Sequence, residues 1–296
     1  MDPTVKWEFF EKAVFLHSFF CNMIVGDNVK NLIFYQVNMK YVRELAKADD
    51  NVLSISPQNS KETRPFVGVI MICGDKQYCI QLTSPKSKHQ TMNNREDFSR
   101  IIDNNGKILG ALNFNNMIPV TKSVITPINL QPSNSDIPSL CGRKKILNIQ
   151  LDWCNKNKNL ISRKANKLYH LVTETPEKFR NLSRRCCDFQ KLEKVLEKWI
   201  EKEYKRCNDV LDRNPVLKSK LDAAATQYNR KHNLTPLGNT ATAEERCERR
   251  AMVLNENPEL KSELEKAEKE FDNKPVHDNK PVQKQSQTSS KPKHRR

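Results

Sequence analysis

The residue types that could perform chemistry are concentrated in the short sequence Leu82-Thr83-Ser84-Pro85-Lys86-Ser87-Lys88-His89. Thr83 and Ser84 supply hydroxyl groups that donate and accept hydrogen bonds, and Lys86 supplies a positive charge. His89 adds an imidazole, whose ordinary pKa of about 6.5 lets it exchange protons near neutral pH. Together these groups can bind a negatively charged group, stabilise it and move protons near it.

A predicted β-hairpin positions these residues. Residues 66–72 are a continuous run of mostly apolar residues that favour a strand, and Gly74-Asp75 supplies a turn. Apolar and polar or small residues then alternate over residues 78–82, as in a second strand. Because Pro85 has no N–H to donate to a strand ladder, the second strand should end before it and expose residues 83–86 at the rim of the sheet.

Turn formation is the commoner use of such a sequence, because Ser and Thr beside proline make turns and lysine keeps surfaces soluble. The wider sequence favours a functional interpretation. The hairpin, its Leu-Thr-Ser-Pro-Lys ending and the nearby His89 resemble the ToxN/AbiQ family of type III toxin–antitoxin endoribonucleases, in the same order. This combination is far more specific than the five-residue motif alone. Over roughly residues 32–204 the other matches are Phe34-Tyr35, Tyr41, Leu45, residues 116–120, Gln150-Leu151, Lys164 and Leu168.

The resemblance implies an α+β fold in which helices flank a compact, bent β-barrel of the MazF/Kid type. It also implies an endoribonuclease that cleaves single-stranded RNA without metal or cofactor, because the RNA supplies its own nucleophile, the 2′-hydroxyl. The products would be a 2′,3′-cyclic phosphate and a 5′-hydroxyl. The implied partners are substrate mRNA and a repeated, pseudoknot-like antitoxin RNA that inhibits the toxin in a closed protein–RNA hetero-oligomer, as part of abortive infection in phage defence.

The same resemblance implies roles for the rim residues. Lys86 and Arg64 stand where the family has basic residues, and they are candidates for stabilising the negative charge on the phosphate. Thr83 and Ser84 would form hydrogen bonds with the phosphate or the 2′-oxygen. His89 is a candidate for proton transfer, although a histidine on a turn is more often a surface hydrogen-bonding residue.

Four further residues are predicted to bind RNA: Lys61, Lys88, Asn115 and Asn116. Capping a turn is the commoner use of asparagine, so this second interpretation stays open for the two asparagines. Ser60 is a departure from the family, whose best-known members have a tyrosine at this position. A role for that tyrosine cannot be transferred to this chain.

Two other functions compete with the endoribonuclease hypothesis. The chain could be an RNA-binding protein of the same fold without catalysis, an alternative that the missing tyrosine favours slightly. It could also be a structural or protein-interaction factor built on its C-terminal helices. Removing residues 205–296 would abolish function in this last case, whereas cleavage should largely survive in an endoribonuclease.

The charge of the chain suits a polyanionic partner. The 296 residues contain 51 Lys and Arg against 35 Asp and Glu, which gives a formal charge of +16. Basic surfaces bind phosphates partly by releasing counterions, a contribution that does not depend on nucleotide sequence. Charge therefore supports nucleic-acid binding but not cleavage.

The nine cysteines show no Cys-x-x-Cys pair, and they are interpreted as free thiols in a reducing bacterial cytoplasm. No metal site is expected from them. An apolar run at residues 13–25 is interrupted by polar residues and is too short to span a bilayer comfortably. We therefore expect neither a membrane span nor a signal peptide.

The composition and patterning divide the chain into four parts. Residues 1–31 form an apolar, aromatic N-terminal extension, and residues 32–204 form the ToxN/AbiQ-like domain. Residues 205–271 form a helical extension. Residues 272–296 are predicted to be a disordered basic tail, since they contain hardly any apolar side chains.

Within the domain, Asn38 is predicted to cap a helix, and Asn94 to cap a short helix that runs through Ile102. Strands are predicted near residues 109–120 and 124–130, and helices after Pro138. A later predicted helix carries a stripe of apolar residues that is only about one and a half heptads long. A stripe this short favours packing of the helix on its own domain over a coiled coil between chains. The stripe consists of Phe189, Leu192, Leu196 and Trp199.

The helical extension contains an internal repeat. Residues 210–221 parallel residues 253–264, and each copy is predicted to be a helix that breaks before Asn-Pro and restarts with proline in its first turn. Duplication is the simplest cause. The repeat lies outside the part of the chain that resembles the family.

Overall fold

The fold is built on one antiparallel sheet. A computed structural model describes residues 31–52, 66–73 and 76–273. The sheet has six strands in the order β4-β5-β3-β2-β1-β6. Their bounds are β1 Phe34–Val37, β2 Phe66–Cys73, β3 Lys76–Thr83, β4 Phe98–Ile102, β5 Ile108–Val120 and β6 Ile125–Pro127. The α+β class is confirmed.

The expected closed barrel is not supported. β4 and β6 lie at the two edges of the sheet, and no pairing joins them within the described residues. A barrel requires its first and last strands to bond to each other. Here helices cover the apolar face of the sheet instead, so burial of that face does not require closure.

The predicted hairpin is present in β2 and β3, which pair from Gly68 opposite Gln81 to Cys73 opposite Lys76. The turn at residues 74–75 lies outside the described residues. β3 ends at Thr83, two residues before Pro85, as the missing N–H of proline predicts. On its other side β3 pairs with β5.

The predicted helix from Asn94 through Ile102 is wrong. Phe98–Ile102 is the edge strand β4, paired with β5. The Asn94 side chain does accept a backbone hydrogen bond, but from the N–H of Arg100 at 2.8 Å, and it thus closes the turn before the strand. The strand predicted at 124–130 is also shorter, because only β6 pairs with β1.

Nine helices are assigned in the described residues. The predicted cap at Asn38 is confirmed, since its side chain accepts from the backbone N–H of Lys40 at 2.9 Å. The bounds are α1 Met39–Ala48, α2 Lys88–Thr91, α3 Pro138–Lys156, α4 Lys158–Thr173, α5 Arg180–Ser183, α6 Phe189–Asp212, α7 Pro215–Lys231, α8 Ala243–Glu256 and α9 Pro258–Asn273; a 3-10 helix spans Lys122–Val124.

Buried polar contacts fix α4 and α6 against the sheet. The Glu193 carboxylate on α6 accepts hydrogen bonds from the hydroxyls of Tyr78 on β3 (2.5 Å) and Tyr169 on α4 (3.1 Å). The predicted stripe on α6, beginning with Phe189, is buried in the same core, so it packs on its own domain. The ammonium of Lys164 donates to Ser99 Oγ at 2.7 Å and thereby joins α4 to β4.

The repeated extension forms a second, smaller hydrophobic cluster. Both predicted helix breaks are present, before Pro215 and before Pro258. Each Asn-Pro asparagine caps the preceding helix in the same way, by donating to a carbonyl four residues earlier at 2.7 Å. Lys220 and Glu263 occupy equivalent positions in the two copies and form an ion pair at 2.8 Å. A contact between equivalent residues indicates that the copies are related by an approximate two-fold rotation.

α6 runs through residue 204, the predicted end of the domain, and ends at Asp212. The Glu248 carboxylate on α8 accepts from the backbone N–H of Lys122 at 3.1 Å. Burial lowers the pKa of Lys122 to about 8, an effect that Glu248 opposes, and burial raises the pKa of Glu248. Residues 1–30 and 274–296, which include most of the predicted N-terminal extension and tail, lie outside the described residues.

Two glycine substitutions should change stability in opposite directions. A Cβ atom on Gly68 would lie 2.0 Å from the backbone oxygen of Ile80, so Gly68→Ala should lower the free energy of unfolding by about 3 kcal/mol or more. Gly142 lies within α3 with nothing near its Cβ position, so Gly142→Ala should raise it by about 0.5–1 kcal/mol. Urea unfolding followed by circular dichroism measures both. Equal stability of Gly68→Ala and wild type would contradict the close β2–β3 packing.

Candidate active site

The predicted catalytic rim lies at the end of β3. Thr83 is the last residue of the strand and is paired with Ala111 on β5, and its hydroxyl donates to the Ala111 carbonyl at 3.3 Å. Ser84 and Lys86 follow immediately, and both are exposed. Residues 83–86 thus follow directly from the end of β3, and Ser84 and Lys86 are accessible; their catalytic roles stay predictions.

The rim continues across the sheet to a residue that the sequence did not single out. Ala111 is paired with Thr83 on one side and with Arg100 on β4 on the other. Paired residues of antiparallel strands point to the same face, so Thr83 and Arg100 flank the small side chain of Ala111. The sequence analysis missed Arg100 because it predicted a helix for this segment. In a strand, side chains alternate between the two faces of the sheet, and that alternation places Arg100 on the same face as Thr83.

Thr83 and Arg100 lie on the face of the sheet opposite to α4. Leu82, Leu112 and Ser99 are the next row of paired positions, so they point to the opposite face from Thr83. Lys164 of α4 contacts that opposite face through Ser99. Thr83 and Arg100 therefore lie on the face opposite α4, where Ala111 is fully buried and His89 of α2 packs on Phe98. The accessible groups are Ser84 and Lys86, which lie beyond the end of β3.

His89 lies inside the turn that carries Lys86. Its side chain is only 2% exposed, and its ring packs against Phe98 at 5.4 Å between centroids. The backbone N–H of Lys86 donates to His89 Nδ1 at 3.3 Å, and the N–H of His89 donates to the Lys86 carbonyl at 2.8 Å. Both contacts fix the backbone from which the Lys86 ammonium extends.

These contacts favour the neutral imidazole. Because Nδ1 accepts the Lys86 hydrogen bond, the neutral ring carries its proton on Nε2. Burial, followed by the positive charges of Lys88 and Lys86, lowers the pKa of His89 below its ordinary value. A general base must accept a proton on a free lone pair, but the Nδ1 lone pair of His89 already accepts the Lys86 hydrogen bond. The geometry therefore favours a role for His89 in positioning Lys86 over a role in proton transfer.

The predicted cations of the rim are accessible and unneutralised. Lys86 and Lys88 are both exposed, and neither forms an ion pair with any carboxylate in the described part of the chain. Such groups are suited to binding phosphate. Arg64 and Lys61, together with Ser60, lie outside the described residues, so their predicted roles stay predictions.

Asn115 and Asn116 lie on β5 away from the Thr83 end, and their side chains hold other parts of the chain. The Asn115 amide donates to the carbonyl of Arg185 at 3.0 Å, and the Asn116 amide donates to the carbonyl of Asn51 at 2.5 Å. Binding of RNA by these two residues is untested. Asn115 thus holds the loop before α6, and Asn116 holds the segment after α1.

The remaining reactive groups lie outside the rim. Among the described residues, no three His, Cys, Asp or Glu side chains are grouped so that they could hold a metal ion. The eight described cysteines are free thiols. Burial raises the pKa of most of them, for example to about 12 for Cys73 and Cys154, which makes them poor nucleophiles. No described helix has both the length and the apolar character needed to cross a membrane.

Comparison with known proteins identifies the family. The profile of the family described as "Toxin ToxN, type III toxin-antitoxin system" matches residues 33–197, which is more than half of the chain. The chain belongs to the ToxN family. This match includes every described residue of the rim and stops within α6, before the repeated extension.

Two curated relatives are both called endoribonuclease ToxN. The one from Bacillus thuringiensis subsp. kurstaki is 28% identical over 62% of this chain and 91% of its own length. The one from Pectobacterium atrosepticum is 26% identical over 48% of this chain and 81% of its own length. Family membership therefore assigns the chain to the endoribonuclease toxins of type III toxin–antitoxin systems.

Solved structures of similar proteins cover 57% of this chain and 98% of their own. One concerns selective inhibition of a type III toxin by a non-coding RNA pseudoknot, with 26% identity and a TM-score of 0.49. Another is AbiQ, a lactococcal anti-phage endoribonuclease of the type III toxin–antitoxin system, with 25% identity and a TM-score of 0.48.

Substitution of His89 should separate positioning from proton transfer. His89→Ala removes the acceptor for the Lys86 N–H, and we expect ribonuclease kcat/KM to fall roughly tenfold or more because the ammonium is no longer held in place. His89→Asn places an amide oxygen near the position of Nδ1, and it should retain most of the activity. Measured rates of both variants decide the question, since a proton-transfer role predicts that asparagine is as damaging as alanine.

The lowered pKa of His89 predicts a pH dependence of stability. In the unfolded chain His89 has its ordinary pKa of about 6.5, whereas in the folded chain its pKa is lower. As the pH falls below about 6.5, the unfolded chain therefore takes up a proton before the folded chain does, and the free energy of unfolding decreases. Thermal unfolding between neutral pH and about pH 5 should show this loss in wild type, and a smaller loss in His89→Asn. Identical pH profiles would contradict the proposed neutral, buried imidazole.

Proposed function

We propose that this toxin cleaves single-stranded RNA, including mRNA, by transesterification at the rim formed by Thr83, Ser84 and Lys86. The single observation that carries the proposal is the pair of hydroxyls and the exposed ammonium, which has no ion pair among the described residues, directly at the end of β3. The family assigns the enzyme class, and this cluster is the described set of side chains best suited to a phosphodiester.

The reaction uses atoms that the RNA already contains. The 2′-oxygen attacks the neighbouring phosphorus and loses its proton, and the bond from phosphorus to the 5′-oxygen breaks as that oxygen gains a proton. The products are a 2′,3′-cyclic phosphate and a 5′-hydroxyl, and no water, metal or redox cofactor takes part in this balance. The protein must align the groups and stabilise the extra negative charge.

The two hydroxyls have different roles in this proposal. Because Thr83 donates its proton to the Ala111 carbonyl, its oxygen presents lone pairs that can accept a hydrogen bond from the 2′-hydroxyl. Ser84 is exposed and can donate to a phosphate oxygen. Lys86 supplies positive charge, together with Arg64, which stands two residues before β2 in the sequence. The contacts of His89 with Lys86 support a positioning role for its imidazole.

We further propose that an antitoxin RNA inhibits the toxin by covering the rim. Similar toxins are associated with inhibition by a non-coding RNA pseudoknot, and with regulation of an antiviral system by a processed non-coding RNA. The formal charge of +16 and the exposed Lys86 and Lys88 suit such a polyanion. A repeated antitoxin would close several toxin copies and RNA units into one assembly in the bacterial cytoplasm, as part of abortive infection.

A non-catalytic RNA-binding protein of the same fold is the second candidate. Ser60, in place of the family tyrosine, favours it. The two functions predict the same basic surface, and they differ only in whether bound RNA is cut.

A cleavage assay distinguishes them. Purified protein is incubated with single-stranded RNA in the presence of a chelator, and the ends of the products are identified. Wild type should give 2′,3′-cyclic phosphate ends, whereas Lys86→Ala and Ser84→Ala should each lower the rate by roughly 100- to 1,000-fold. Lys191→Ala, at an exposed position on α6, is the matched control and should retain the full rate.

The chemistry has its own control. An oligonucleotide with one 2′-deoxy nucleotide at the cut position should bind but resist cleavage there, because it lacks the nucleophile. Cleavage at that position would exclude the 2′-hydroxyl mechanism. Wild-type protein that binds RNA without cutting it would support the second candidate instead.

A further inference from the structure

An exposed aromatic side chain stands among cations in the connection between α4 and α6. The ring of Phe179 belongs to a side chain that is 39% exposed, and it makes no aromatic or cation–π contact with any described residue. The Phe179 carbonyl accepts backbone hydrogen bonds from Leu182 (2.8 Å) and Ser183 (2.9 Å). The ring is therefore presented to solvent from a backbone that is locally fixed.

Two cations beside this ring have no carboxylate partner. Lys178 and Arg95 are exposed, and neither forms an ion pair within the described residues. By contrast Arg185 is bound to Asp97 through Nε (3.0 Å) and Nη2 (2.8 Å). Arg95, Lys178, Phe179 and Arg185 line one open recess. Its three carboxylates, on Glu96, Asp97 and Glu177, are each paired with another cation, so Arg95 and Lys178 remain available to a ligand.

The loop that forms this recess is anchored to the sheet. Asn115 on β5 donates through its side chain to the Arg185 carbonyl and accepts from the Cys187 N–H at 2.9 Å. The Asn51 side chain donates to the Cys186 carbonyl, also at 2.9 Å. These contacts lower the conformational cost of presenting Phe179 to a ligand.

Two internal contacts connect the recess with the catalytic rim. Arg95 forms a β-bridge with Phe98, with backbone N–O distances of 3.0 and 3.2 Å. The Phe98 ring in turn packs on His89, which holds Lys86. Arg95 is thus linked to the Lys86 backbone through Phe98 and His89, and an RNA strand that extends from Lys86 past Arg95 would reach Phe179.

We propose that this surface is a second RNA-binding site, in which Phe179 stacks on one base of the substrate strand and Arg95 and Lys178 bind the adjoining phosphates. An exposed ring with neighbouring cations is the combination that single-stranded nucleic acids require, since every base has a face that can stack. A folded antitoxin keeps many bases paired, whereas a single-stranded substrate offers unpaired ones, so the site is assigned to the substrate. The assignment rests on the proposed ribonuclease function.

The test compares two substrates with different reach. One is a short oligoribonucleotide that spans only the cut bond, and the other is a longer single strand that reaches the recess. Phe179→Ala should raise KM for the long substrate roughly tenfold while leaving kcat and the short substrate unchanged. Phe179→Trp should restore the wild-type KM because it retains a stacking face. Arg95→Ala and Lys178→Ala should also raise KM, and their effect should shrink at high salt.

Two control variants match the changes in size and charge. Val216→Ala shortens another exposed apolar side chain, and Arg230→Ala removes an exposed cation, both on α7 of the extension. Neither should change KM. Wild-type KM for the long substrate in Phe179→Ala would overturn the proposal, and so would weakened antitoxin binding combined with unchanged substrate KM.

Direct binding keeps this proposal separate from the proposed reaction. Fluorescence anisotropy measures the affinity of a labelled long single strand for Lys86→Ala and for the double variant Lys86→Ala/Phe179→Ala. Roughly tenfold weaker binding by the double variant supports the second site, even if wild type cuts neither substrate and the ribonuclease function fails. Equal binding by the two proteins overturns the second site, whatever the outcome of the cleavage assay.

Discussion

The pairing of β3 with β5 is the constraint on which both ends of the molecule depend. At one end it sets Thr83 opposite Ala111, where β3 stops and the exposed rim begins. At the other end it sets Gln77 opposite Val120, beside the segment that binds α8 of the extension. The candidate site and the extension are therefore held at opposite ends of one strand pair, and the extension leaves the rim uncovered.

Helices, rather than closure of the sheet, bury the apolar face. The Glu193 carboxylate, which accepts hydrogen bonds from Tyr78 and Tyr169, joins two helices and a strand at one buried point. Burial and the hydrogen bond to Glu193 raise the pKa of Tyr78 far above its ordinary value, so this donor keeps its proton. Thr83 and Arg100 lie on the other face of the sheet, which is also buried at Ala111 and Phe98 and which α2 contacts through His89.

The sequence predicted local features better than long-range ones. The β2–β3 hairpin and the end of β3 before Pro85 follow from residue patterns a few positions long, and the resemblance supplied the rim residues. β4 was predicted as a helix, because a five-residue strand at a sheet edge shows its alternation only when its partner is known. Arg100 was missed for this reason. The open sheet and the anchoring role of Asn115 depend on contacts between residues far apart in sequence, which no local pattern contains.

The ion pair between Lys220 and Glu263 indicates that the two copies of the repeat have diverged. If the two copies arose by duplication, the same residue first faced itself across the two-fold rotation. The observed pair of opposite charges requires that this position has since diverged between the copies. Each copy now supplies one charge of the ion pair, so the two copies are complementary and neither can replace the other.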